Sequence, residues 1–141
     1  MRFVKEMRIR AIVHATESPE KVKEAIRFLA GDVRIMETHT AGYHGNEILI
    51  LETQPVKDCA ALAEKLRDTG ILENVIAQPE IYIDGGTIFL KLDKQVLYSQ
   101  KKLVLGGKDT ISVHLCVGSR SAKREEIVKY VKKFIEGEMD G

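Results

Sequence analysis

Apolar and polar residues alternate from Glu6 to His14. Met7, Ile9, Ala11 and Val13 point one way, and Arg8, Arg10, Ile12 and His14 point the other. A period of two predicts a strand over 6–14 with one buried face and one largely basic face. Ser18-Pro19-Glu20 follows as N-cap, first helical residue and first-turn acid. Val22, Ala25, Ile26 and Leu29 then recur at helical spacing, and Gly31 closes that helix. Strands are predicted over 33–40 and 47–53, joined by the turn-rich loop Ala41-Gly42-Tyr43-His44-Gly45-Asn46.

Pro55 is expected to open a second helix with Cys59, Leu62, Ala63 and Leu66 as its apolar stripe and Gly70 past its end. Residues 71–77 fit a helical turn or a strand. Residues 80–84 and 87–92 read as a hairpin across Asp84-Gly85-Gly86. A short helix is expected from Lys94 to Gln100, a turn at Gly106-Gly107 and a last strand over 110–117. Ser121 is expected to cap a final helix whose apolar face is Ile127, Val128, Val131, Phe134 and Ile135. No internal repeat, linker or low-complexity tract breaks the chain. The pattern predicts one α+β domain over 1–141: a two-layer sandwich with a largely antiparallel, mixed sheet and helices packed on one face. Such packing leaves the other sheet face at least partly open.

Composition narrows the class. The chain has 141 residues, 44% hydrophobic and 30% charged, which suits a globular domain with a real core. Its apolar runs are far below the ~20 residues of a membrane-spanning helix, so no membrane association is expected. Charge comes at once after Met1, which argues against a signal peptide. Cys59 and Cys116 fall in a predicted helix and strand, where free thiols in a reducing cytoplasm are expected. The net charge of +1 hides a partition: residues 1–14 carry +3 and residues 85–124 carry +6, against −6 over 15–84 and −2 over 125–141. Such a split gives a basic face if folding gathers the basic stretches, and a mixed surface if it does not.

Candidate chemistry points away from catalysis. His14, His39, His44, His114 and the two cysteines show no metal-ligand spacing, so no metal or cofactor is expected. Gly85-Gly86 and Gly106-Gly107 lack the residues that make a phosphate loop and read as hairpin turns. An enzyme would need His14, His39 and His114 to converge beside a carboxylate. Binding features are stronger. Ser119-Arg120-Ser121-Ala122-Lys123-Arg124 puts three cations at a predicted helix start, where free backbone N–H groups suit a phosphate. A solvated, capped helix is the plainer alternative. In Thr87–Gln95, Phe89 and Lys91 share an outward side, able to stack a base and pair a phosphate unless another segment covers them. Tyr43, His44 and Asn46 in the glycine-bearing loop suit sugar or base contacts, although Gly45-Asn46 also serves a simple turn.

These pieces together resemble a family. The strand Met7–His14 continuing to Glu17, then Tyr43-His44-Gly45-Asn46, then Phe89-Leu90-Lys91-Leu92-Asp93-Lys94-Gln95, then the Lys-Arg helix start, are similar to archaeal RNA-binding proteins and predicted exosome subunits. The resemblance covers nearly the whole chain, and the HGN and LDKQ pieces are its most specific parts. It departs at Gln95-Val96-Leu97-Tyr98, where small alanines are expected, and at Gly106-Gly107. It implies a two-layer fold like that of the ribosomal protein that carries 5S ribosomal RNA, also described as double-stranded-RNA-binding-domain-like. It implies a non-catalytic role in archaeal RNA processing or degradation, with RNA and exosome or ribonuclease P components as partners. Arg8, Arg10, Lys91, Lys94, Arg120, Lys123 and Arg124 are the expected phosphate contacts, with Tyr43, His44, Asn46 and Gln95 beside them. The rival expectation is a protein-docking module or a homodimeric scaffold, supported by the run Ile48-Leu49-Ile50-Leu51 and the outward Phe89.

Overall fold

The computed structural model describes residues 2–42 and 45–141. Its elements run in the order β1 (Glu6–Val13), α1 (Pro19–Ala30), β2 (Ile35–Ala41), β3 (Glu47–Thr53), α2 (Ala60–Asp68), α3 (Ile71–Ala77), α4 (Pro79–Tyr82), β4 (Ile83–Asp84), β5 (Thr87–Asp93), α5 (Lys94–Gln100), β6 (Thr110–Cys116) and α6 (Arg124–Ile135). The strands form one sheet in the order β2-β3-β1-β6-β5-β4. The pairs β1–β3, β2–β3 and β4–β5 are antiparallel. This is the α+β architecture that the hydrophobic pattern predicts.

Two compact units divide the chain. The first comprises the residues up to Met7, Lys57–Leu90 and His114–Gly141. Its interior is built on α2, α3 and α6: Leu62, Ala63, Leu66, Leu72, Val75, Ile127, Val131 and Phe134 are all buried. Phe3 stacks on Phe134 with ring centroids 4.7 Å apart, and the Arg67 guanidinium lies 4.8 Å over the other aromatic's ring, that of Phe134. The second unit comprises Arg8–Val56 and Lys91–Val113. There the buried side of β1 (Ile9, Ala11, Val13) continues through Leu49, Leu51, Leu92, Ile111 and Val113. The stripe Val22, Ala25, Ile26 and Leu29 of α1 and Leu97 of α5 complete the interior.

Local chemistry sets the boundaries. Ser18 caps α1 by accepting the Lys21 N–H, and Gly31 leaves the helix at φ 84°, a left-handed conformation that favours glycine. Asp93 caps α5 by accepting the Val96 N–H at 3.0 Å. Gly107, at φ 102°, passes so close to Asp93 that a Cβ there would press on its carboxylate.

Three expected boundaries move. Pro55 does not open α2: residues 54–59 are non-helical, with a bend at Lys57, and the helix begins only after the N-cap Cys59. Residues 79–82 coil into α4 rather than extending, which shortens β4 to two residues. Ser121 does not cap the last helix. The Ala122 N–H bonds back to the Ser119 carbonyl, making a turn, and α6 begins at Arg124 with Lys123 as its N-cap. The ambiguous stretch 71–77 is helix, its buried Ile71, Leu72 and Val75 falling at i, i+1 and i+4.

Candidate nucleic-acid interface

Strand alternation decides which side chains face solvent. In β1 the buried row Met7, Ile9, Ala11 and Val13 leaves Arg8 and Arg10 exposed and Ile12 half-buried. In β5 the buried row Ile88, Leu90 and Leu92 leaves Phe89 and Lys91 exposed. One strand, β6, stands between β1 and β5 in the sheet order.

Among the described residues, Arg8 and Lys91 have no ion-pair partner. Arg10 is partly neutralised, with Nε 3.9 Å from Glu52 Oε1 across the β1–β3 pairing. Phe89 is 39% exposed, which is unusual for so large an apolar side chain. Its ring meets that of His114 edge-on at 4.6 Å.

Lys94 corrects the expectation. Expected as a phosphate contact, it is 0% exposed. Its Nζ donates to the Ile12 carbonyl at 2.6 Å, to Glu17 Oε1 at 2.8 Å and to Asp109 Oδ2 at 2.7 Å. Three acceptors use all three ammonium donors, leaving none for a phosphate. The signal was present in the sequence. Lys94 continues the buried parity of Ile88, Leu90 and Leu92, and a buried lysine must find carboxylates. His14 stands at the rim of this group, Nε2 3.7 Å from Asp109 Oδ1 and 4.0 Å from Glu17 Oε1. His14, Glu17 and Asp109 have ligand-type atoms close enough to hold a cation. The Lys94 ammonium already occupies that position between the two carboxylates.

The remaining expected residues are spread over several elements. Gln95 is exposed on the first turn of α5 and accepts the Tyr98 hydroxyl at 2.7 Å. Asn46 is exposed, and its carbonyl accepts the Gly42 N–H in the loop before β3. Tyr43 and His44 lie outside the described residues. Arg120 and Lys123 are exposed on the turn before α6, and Arg124 donates from Nε to the Ile83 carbonyl at 3.4 Å. That turn is tightly held. Val117 and Gly118 both donate to the Gly86 carbonyl, at 2.8 and 2.9 Å, and any side chain on Gly86 would strike Gly118. Sequence reasoning took Gly85-Gly86 as a hairpin turn alone and missed this second contact.

Among the described residues the three histidines stand in separate surroundings. His14 faces Asp109 and Glu17, His39 Nδ1 lies 2.6 Å from Glu47, and His114 packs on Phe89. Burial pushes the Cys59 thiol up to about 11, so it is a protonated core group rather than a nucleophile.

Fold and surface together define a class: an α+β domain with a six-stranded sheet on which, among the described residues, Arg8 and Lys91 have no ion-pair partner and Phe89 is exposed. The chain belongs to the RNA-binding family, whose model matches residues 6–117. It is 35% identical to an RNA-binding protein of Pyrococcus abyssi, over 94% of each chain. Solved structures agree on the fold. A DUF54 protein from Methanothermobacter thermautotrophicus superposes with a TM-score of 0.78 at 26% identity, over 94% of this chain and 98% of that one. A DUF54-family protein from Sulfolobus solfataricus gives 0.68 at 28% identity, over 92% and 99%.

Proposed function

We propose that this chain binds RNA without acting on it chemically, through the open side of its sheet. The observation that carries the reading is the exposed row on β1 and β5. Arg8 and Lys91 are cations without an acidic partner among the described residues, and Phe89 lies beside Lys91 on the same side of β5. Cations in that arrangement attract phosphates, and an exposed ring offers a stacking surface. Arg120, Lys123 and Arg124 add a second basic segment at the start of α6. Family membership and the Pyrococcus abyssi relative support RNA as the ligand. With a net charge of +1, affinity rests on local cations rather than on the whole-molecule field.

The test is the salt dependence of RNA binding. Each phosphate neutralised contributes about −0.9 to the slope of log K against log salt on a duplex, and about −0.7 on a single strand. A slope near zero for every RNA tried would sink the proposal. Participation in archaeal RNA processing, next to exosome or ribonuclease P components, is a finer proposal that rests on the family resemblance. Pull-down from extract with and without ribonuclease tests it. Partners lost on ribonuclease treatment join through RNA, and partners retained dock on protein. The docking alternative is favoured by one observation: Ile12, Ile48 and Ile50 are half-buried and Met36 is 40% exposed, all on the open side of β1, β3 and β2.

A further inference from the structure

We propose that β2 is a self-pairing edge, through which two copies of this chain join antiparallel about a two-fold axis at Thr38. β2 stands at the end of the sheet order and, among the described residues, pairs only with β3, so one whole side of its backbone has no strand partner there. Six of its seven residues are exposed. Isolated edges are normally blunted by shortness, proline, a bulge or charged side chains, lysine above all. The other end of the sheet follows that rule, since β4 has two residues. β2 carries only one acidic charge, Glu37, which Lys23 already pairs at 3.0 Å. Ile35-Met36-Glu37-Thr38-His39-Thr40-Ala41 has no proline and no lysine, and its register against β3 is unbroken over all seven residues, so it has no bulge.

The sequence of this edge is complementary to itself in one register. Residues opposite each other in an antiparallel ladder point to the same face, so the two-fold axis must fall on a residue. Centred on Glu37, it would oppose two carboxylates, and centred on His39, two imidazoles. Centred on Thr38, the midpoint of the strand, it overlaps the whole of Ile35–Ala41 with its copy. That register also sets Glu37 against His39 of the second copy, twice by symmetry, and Thr38 against itself. Unlike groups directly opposite stabilise a ladder and like charges destabilise it.

The surrounding charges extend the match. Glu37 is held 3.0 Å from Lys23, and His39 is held 2.6 Å from Glu47. The new pair therefore joins two existing ion pairs into an alternating row of four charged or chargeable groups. Met36 and Thr40 lie opposite each other on the open face, which continues across the junction.

Sedimentation analysis of the full chain after ribonuclease treatment tests the pairing. The wild type is expected to run as a dimer. Thr38→Lys sets two ammonium groups opposite each other at an exposed position and is expected to yield a monomer with an unchanged circular-dichroism spectrum. Thr38→Cys, oxidised, is expected to cross-link to a covalent dimer while identically treated wild type does not, because either type of antiparallel pair brings Cα atoms within disulfide range. A wild type that stays monomeric at every concentration overturns the proposal. So does a dimer that survives Thr38→Lys or that Thr38→Cys fails to cross-link.

Discussion

Lys91 and Lys94 are three residues apart across the junction of β5 and α5, and the fold gives them opposite tasks. Lys91 projects from the open side of β5 into solvent. Lys94 turns into the interior and is enclosed by Glu17, Asp109 and the Ile12 carbonyl. Residue type and charge are the same; only the parity along the strand and the cap at Asp93 differ. A basic run in sequence is therefore not a basic patch. Each cation must be placed on a face before it counts toward RNA binding, and one of the seven expected phosphate contacts fails that test.

Lys94→Met gives the largest effect expected. It leaves the Glu17 and Asp109 carboxylates side by side without their shared cation, and Glu17 Oε2 already has no partner among the described residues. Removing one member of a buried ion group costs about 3–5 kcal/mol. For a chain of this size that lowers Tm by roughly 10–17 °C. The salt slope of RNA binding, measured well below Tm, should not move. A variant with wild-type Tm and a flattened slope would reverse the roles assigned to the two lysines.

The thiols extend the contrast between buried and accessible groups. Cys59 is buried on the stripe of α2, while Cys116 is half-buried at the end of β6. Desolvation raises the Cys59 pKa from 9.0 to about 11, so its thiolate fraction near pH 8 falls about a hundredfold. Alkylation followed by mass spectrometry should modify Cys116 first. The sign for stability follows: the folded state holds this proton more tightly than the unfolded chain, so stability is lost as pH rises from 9.0 through about 11. Equal labelling of both cysteines in the folded protein would contradict the burial of Cys59.

Lys91→Ala and Arg8→Ala are expected to do the reverse of Lys94→Met. Each should weaken RNA binding roughly three- to tenfold at moderate salt and flatten the slope by about 0.7–0.9. Neither should shift stability by more than about 0.5 kcal/mol, since both are exposed. Filter binding over a salt series measures the first quantity and thermal denaturation the second.

Much of this was legible in the sequence, because period and caps act locally. The alternation of β1, the Ser18 cap, the Gly31 stop and the apolar stripe of α6 each predict what the structure contains. What was not legible depended on distant groups. Parity pointed Lys94 inward, but the identity of its partners, Glu17 and Asp109, is set only in the folded chain. The start of α6 was displaced because residues 117–118 bond to Gly86 and the Ser119–Ala122 turn follows before the helix. Pro55 signals a helix start by its fixed φ, yet the same φ suits the non-helical segment found there. For the site, strand parity identified Arg8, Arg10 and Lys91 as outward, whereas the pairing of Arg10 with Glu52 required the β1–β3 register.

That last pairing supplies the smallest expected effect and the finest division of the basic face. Arg8 and Arg10 share one side of β1, but only Arg10 has a carboxylate opposite it, at 3.9 Å with both side chains about half exposed. An exposed pair of this kind contributes about 0–1 kcal/mol, so Glu52→Gln should leave Tm nearly unchanged. It should instead release Arg10 for a phosphate, strengthening RNA binding by less than about threefold and steepening the salt slope by a fraction of one phosphate contact. In the Glu52→Gln background, Arg10→Ala should then cost as much affinity as Arg8→Ala does in the wild type. If Arg10→Ala costs the same with and without Glu52, the carboxylate does not restrain Arg10, and the two arginines are equivalent from the outset.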